Sequence, residues 1–183
     1  MKEMTKSKAM KSESGITMIE TLMAASILII GSLGMIGLIV GSIASNNRNK
    51  IDSTQTMLAE AILEQVNSTF NGTGTSALVD CAGTTWNINT TIPSIGSVGA
   101  QLSGASVDFT QSAPPTGYFM NYVVKTPCTS TGTLQGTYDV RWHLDQVGST
   151  DSYLLTVGAK LKNHGEGNMF FSLPVTLRVM SGS

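Results

Sequence analysis

The sequence predicts an α+β fold, a long N-terminal helix packed on an antiparallel β-sheet head. Three observations carry this. Residues 15–44 form a nearly uninterrupted apolar run whose one charge, Glu20, lies near its start. From Asn46 the helical pattern continues as an amphipathic stretch to Phe70. The C-terminal part alternates apolar and polar residues in strand-length segments separated by turn-forming residues.

The expected organisation is a leader at residues 1–15, a helix over 16–70 and a β-rich globular head over 71–183. Within the helix, 16–45 is the membrane part and 46–70 the amphipathic part. About 27 residues, Thr21 to Asn47, carry no charge, enough to cross a hydrocarbon core of about 30 Å as a helix. The first fifteen residues contribute +2 through Lys2, Lys6, Lys8 and Lys11 against Glu3 and Glu13, while the whole chain is −1. A Lys-rich leader stays on the cytoplasmic side, so the head faces outward. The remainder has no basic excess, so no nucleic-acid partner is predicted. Charged residues are only 13%, and the abundance of Ser, Thr, Gly and Asn suits one polar, loop-rich β domain outside the cytoplasm.

Three readings of the apolar run compete. A secretory signal would use the small-x-small site Ser42-Ile43-Ala44, but the run is about twice the usual 7–15 residues and its helical pattern continues past Ala44. An uncleaved single-pass anchor explains the hydrophobicity but not Glu20, a carboxylate that costs free energy in lipid unless it is paired or held at the interface. The third reading starts from Gly15-Ile16-Thr17-Met18-Ile19-Glu20. With its charged leader and the continuation through residue 50, this stretch resembles the class III leader and N-terminal helix of type IV pilins and pseudopilins, most closely the PilV-type minor pilins. The usual family form is Gly-Phe-Thr-Leu-Ile-Glu; here Ile16 stands for Phe and Met18 for Leu. The likeness covers Lys11 to about Phe70 well and the head only loosely.

The resemblance implies a type IV pilin-like fold and a defined processing path. Prepilin peptidase, a membrane aspartyl protease, would cut between Gly15 and Ile16 and methylate the new amine. Glycine suits an enzyme that needs close backbone approach; Ile16 leaves the methylation open. Glu20 would offset the positive helix N-terminus and its amine, and in a filament would pair with a neighbour's N-terminus and set axial register. Gly31, Gly34, Gly37 and Gly41 would let helices approach closely while lowering helix propensity by about 1 kcal/mol each relative to Ala. The implied partners are prepilin peptidase, other major and minor pilins, the inner-membrane assembly machinery and, before assembly, membrane lipid. The implied location is the inner membrane, single-pass with a periplasmic head, then a pilus (fimbrium) at the cell surface, where adhesion is one role among several.

On the amphipathic stretch, Ile51, Leu58, Ile62, Val66 and Phe70 mark the sheet-facing side with Met57, Ala61 and Gln65 beside them, and Asn71-Gly72 supplies a stop. Residues 72–117 hold only short apolar alternations, at the place of the variable loop of pilins. Four β segments follow: 118–125; the alternation of Tyr138, Val140, Trp142 and Leu144; that of Tyr153, Leu155, Val157, Ala159 and Leu161; and that of Phe171, Leu173, Val175, Leu177 and Val179. Residues 145–151 and 163–168 are their turns, and Pro174 makes the last segment an edge strand or a bulged one. In an outward-facing domain Cys81 and Cys128 are expected to form one disulfide worth about 4 kcal/mol in the chain-entropy model, with two buried free thiols as the alternative. The pair would tie the variable region to the first of these segments, so no C-terminal recognition loop is carried over from the major pilins.

No catalytic constellation stands out. His143 and His164 lack neighbouring ligands at metal spacing and read as solvated surface, His164 in a turn. The expectation is a non-enzyme with no cofactor and no metal, itself an enzyme's substrate. Its function reads as a minor pilin of a type IV pilus. A pseudopilin of a type II secretion or competence system is the alternative, and a single-pass membrane-anchored β binding domain a second alternative.

Overall fold

The computed structural model describes residues 16–68, 75–91, 96–112, 114–148, 152–164 and 173–181. The expected leader with Gly15, the stop at Phe70 to Gly72, Phe171 and most of the two expected turns lie outside the described residues. The chain has one long N-terminal helix and an antiparallel β-sheet, an α+β arrangement, and divides into two compact units, Met1–Ser45 and Asn46–Ser183.

Helix α1 (Met18–Ser68) begins two residues later than expected, because Thr17 caps it. In the Asn46–Ser183 unit α1 buries Ile51, Gln55, Leu58, Ala59, Ile62 and Val66. Met57, expected beside this face, is exposed instead. The buried stripe turns toward Gln55 and Ala59, which stand on the ladder of i, i+3 and i+4 neighbours running from Ile51 to Val66.

The sheet is centred on β7. Strands β6 (Phe119–Thr126) and β7 (Thr133–Gln146) pair antiparallel, from Phe119 opposite Arg141 to Thr126 opposite Thr133. The same edge of β7 is completed by β3 (Ser97–Gly99), with Val98 opposite Leu144. On the other side lie β8 (Tyr153–His164) and then β9 (Val175–Ser181), both antiparallel. Two corrections follow. His164 closes β8 opposite Gly136 rather than sitting in a turn. β9 starts directly after Pro174, which lacks an N–H for the ladder, so Leu173 stands outside the strand, 64% exposed.

Residues 72–117 hold more structure than the sequence announces. Strands β1 (Thr75–Val79) and β2 (Thr85–Asn89) form a hairpin, and β4 (Leu102–Ser103) and β5 (Ser106–Val107) a smaller one. The inner sheet face carries Met120, Tyr138, Val140, Trp142, Leu144, Tyr153, Leu155, Val157 and Ala159, which join the buried helix face and Ile88 in one core. Polar atoms of the large rings find partners: Trp142 Nε1 donates to the Asn89 carbonyl at 3.2 Å and the Tyr153 hydroxyl to Asn67 Oδ1 at 3.3 Å. Satisfied in this way, these side chains add their burial energy, about 1.5–3 kcal/mol for each large apolar group, without a desolvation penalty for the polar end.

The outer face is covered in part by the β4 to β5 hairpin and its following loop. Gly158 makes room for it: a Cβ there would lie 2.7 Å from Val107 Cβ. Arg141 fastens the loop. It binds Asp139 as an ion pair at 2.8 Å, donates to the Gln111 carbonyl at 3.1 Å and stacks 5.3 Å from the Phe109 ring centroid. His143, expected at the solvated surface, is half-buried with Nδ1 2.6 Å from the Ala100 carbonyl.

Cys81 and Cys128 are disulfide-bonded. The bond joins the end of the β1 to β2 hairpin region to the turn after β6, next to a backbone bond from Cys81 N–H to the Val123 carbonyl at 3.1 Å. The neighbouring Asp80 carboxylate, 4% exposed, accepts from Ala82 N–H, Thr84 N–H and Trp86 Nε1 at 2.9, 2.8 and 3.2 Å. This buried carboxylate organises the tight hairpin turn.

Candidate functional site: the exposed apolar segment of α1

Helix α1 is long and apolar enough to cross a membrane. Every large apolar side chain from Ile16 to Ile43 is exposed within the chain, from 54% at Ile39 to 83% at Met18. A soluble chain rarely leaves so much contiguous apolar surface uncovered. The polar side chains of this segment are turned inward on the helix itself: Ser26, Ser32 and Ser42 donate their hydroxyls to the carbonyls of Leu22, Leu28 and Leu38 at 2.7–2.9 Å. Such back-bonding leaves no hydroxyl hydrogen in need of water, which fits an apolar surrounding.

The start of the helix is closed by Thr17 and Glu20. Thr17 N–H donates to Glu20 Oε2 at 3.4 Å and Glu20 N–H to Thr17 Oγ1 at 3.4 Å. This reciprocal pair is a capping box, with a Thr at the N-cap and Glu at the third helical position. Its bonds are at the long end of hydrogen bonding. The carboxylate also sits in the first turn, where the helix dipole favours negative charge. Thr-x-x-Glu is legible in the sequence, and reading Glu20 only as a partner for an amine misses it. Glu20 therefore has a partner inside its own chain.

Gly31, Gly34, Gly37 and Gly41 meet nothing within 4 Å of where a Cβ would stand. At about 100° per residue, the four fall within roughly a third of the helix circumference, and Glu20 projects along the same side. The structure thus gathers five of the expected residues on one face of one helix. It places Cys81 and Cys128 elsewhere, in the Asn46–Ser183 unit.

Among the described residues no group of three or more His, Cys, Asp or Glu side chains is arranged to hold a metal ion. A shallow groove of about 80 Å³ lies between α1 and the β6 to β7 pair, lined by Asn47, Lys50, Ile51, Thr54, Val124, Gln135 and Tyr138. Lys50 Nζ donates across it to Gln135 Oε1 at 3.0 Å. Burial raises the Tyr138 phenol above its ordinary value, partly opposed by a hydrogen bond with Thr54. The chain matches no protein-family model, no curated protein and no solved structure.

Proposed function

We propose that the chain is a minor pilin, a non-catalytic structural subunit that primes or modifies a type IV pilus. The observation that carries the reading is the uncovered apolar face of α1 with Glu20 and four glycines along one side. Before assembly the segment resides in the inner membrane, with the head on the periplasmic side. Prepilin peptidase cuts after Gly15, leaving Ile16 as the new N-terminus.

Assembly exchanges lipid for neighbouring helices. Lipid tails are as apolar as the side chains they surround, so burial of hydrophobic area alone does not drive the exchange. Close approach at Gly31, Gly34, Gly37 and Gly41 supplies packing, and Glu20 trades the Thr17 N–H for the amine of an adjacent subunit. Other pilins are the partners of the helix, and the head contacts further minor pilins or an external surface.

The test is the mature N-terminus, read by mass spectrometry of the protein expressed with and without prepilin peptidase. A peptidase-dependent start at Ile16 is the expected result, with any added methyl mass reporting N-methylation. A start at Ser45 or an intact Met1 overturns the filament reading.

A further inference from the structure

We propose that the free edge of β9 receives an extended strand of a partner protein, paired antiparallel and carrying a carboxylate opposite Arg178. The site belongs to the Asn46–Ser183 unit alone and is the same whatever surrounds the apolar segment. β9 closes one side of the five-stranded sheet, pairing with β8 from Val175 opposite Ala159 to Ser181 opposite Tyr153. In an antiparallel ladder alternate residues turn their N–H and C=O groups to the far side, so about three residues of β9 present them at the open edge. Among the described residues, no backbone group outside β8 bonds to β9. The side chains show the same incompleteness. On β8 the inner-face residues Leu155, Val157 and Ala159 are 0% exposed. Their neighbours on β9, Val179, Leu177 and Val175, stay half-buried, so the apolar inner face runs one strand beyond its cover. A further strand with apolar residues at the matching positions extends that row while it satisfies the ladder groups.

Charge specifies the partner. β8 and β9 together carry Lys160, Lys162 and Arg178 and no carboxylate. Arg178 is exposed and forms no ion pair among the described residues. Its direct neighbour on β8 is Thr156, which is uncharged. If β9 paired with its own copy in the longest register, Val175 opposite Ser181, the two Arg178 side chains would stand directly opposite each other, and like charges so placed are unfavourable. An Asp or Glu at that position of a different strand turns the same arginine into an attraction. Arg178 therefore disfavours a second copy of this chain and favours an acidic partner.

The probe is an end-capped, fluorescently labelled peptide, Val-Thr-Val-Glu-Val-Thr-Val. Laid antiparallel along β9, it sets its glutamate opposite Arg178 and its valines on the apolar row. A second peptide has lysine in place of the glutamate. Both are titrated with the full chain in detergent and followed by fluorescence anisotropy. The glutamate peptide is expected to bind about fivefold more tightly than the lysine peptide. Arg178→Glu should invert the preference and Arg178→Gln should abolish it. Hydrogen exchange at the β9 amides should slow when the glutamate peptide is bound. Absence of saturable binding at millimolar glutamate peptide, equal affinity for the two peptides, or a preference unchanged in both variants overturns the proposal. Protection confined to other strands overturns it as well. A chain that is dimeric in detergent and is dissociated by the peptide overturns it in favour of a second copy.

Discussion

Removing the Cys81–Cys128 bond, by Cys81→Ala together with Cys128→Ser, is expected to lower the melting temperature of the head by about 14 °C. The bond closes a loop of 47 residues, for which the chain-entropy relation gives about 4 kcal/mol at 25 °C. The unit it belongs to, Asn46–Ser183, has an unfolding entropy of about 0.3 kcal/mol per kelvin at roughly 2.1 cal/mol/K per residue, and the quotient is the shift. Alanine at the buried Cys81 avoids a new unpaired hydroxyl, and serine suits the exposed Cys128. The folded-state contacts beside the bond do not involve the sulfur atoms and are expected to persist in the variant, among them Cys81 N–H to the Val123 carbonyl and the three donors on Asp80. The loss is therefore assigned to the unfolded chain. Scanning calorimetry of the full chain in detergent, variant against parent, measures it. A fall of less than about 3 °C would refute loop closure as the source of this bond's contribution.

Gly158→Val places a branched β-carbon 2.7 Å from Val107 Cβ; it should cost about 1–3 kcal/mol and expose the β4 to β5 hairpin to limited proteolysis. Tyr138 ties stability to alkaline pH: its folded pKa is raised above 10.0, chiefly by burial, so its contribution is complete below about pH 10 and is lost as pH rises through the higher folded value. Tyr138→Phe should flatten that part of the decline in melting temperature, although Tyr118 and Tyr122, whose pKa values are also raised by burial, keep the rest. Gly15→Val should block processing and leave the leader attached, as an intact mass would show. Glu20→Ala should permit processing and impair incorporation into a filament, and normal incorporation would remove the register role of the carboxylate.

The legible parts of the fold are those where one periodicity dominates. Tyr138, Val140, Trp142 and Leu144 alternate without interruption, and all four are buried on the inner face of β7. The same rule serves β8, where Tyr153, Leu155, Val157 and Ala159 follow one another into the core. It fails at Leu173, because an alternation pattern does not register that Pro174 removes a ladder donor. On the helix the pattern of large apolar residues places Met57 beside the sheet-facing side, yet Met57 is exposed and the small Ala59 and the polar Gln55 occupy the buried stripe. Residues 75–107 resist reading for a different reason. Their strands are two to five residues long, and their positions depend on long-range partners: Asn89 on Gly117 and Trp142, Gly99 on His143, Val107 on Gly158. Of the candidate site, the apolar run and glycines are plain in the sequence. The capping box is equally legible, as the local pattern Thr17-x-x-Glu20 at the start of the apolar run.

The capping box bears on how one segment can occupy two environments. A bare carboxylate in the first turn of a membrane helix would have to be paired, protonated or held at the interface. Glu20 shares its charge with the Thr17 N–H and the first-turn dipole, and the three serine hydroxyls bond back to their own helix. The hydroxyl hydrogens of Ser26, Ser32 and Ser42 then need neither water nor a protein neighbour. Under the proposed function this makes lipid a tolerable resting place. It also makes the bonds at Thr17 weak competitors, because at 3.4 Å they lie near the limit of hydrogen bonding. A protonated amine from an adjacent subunit brings a full opposite charge to the carboxylate, which the Thr17 N–H does not carry. Thr17→Val separates the two roles of Glu20: it removes the hydroxyl side of the box while leaving the carboxylate in place. It should loosen the first turn at a cost of about 1 kcal/mol and leave filament incorporation intact. A Thr17→Val chain that is processed normally yet excluded from filaments as fully as Glu20→Ala would show that the cap itself, and not pairing between subunits, is what assembly requires.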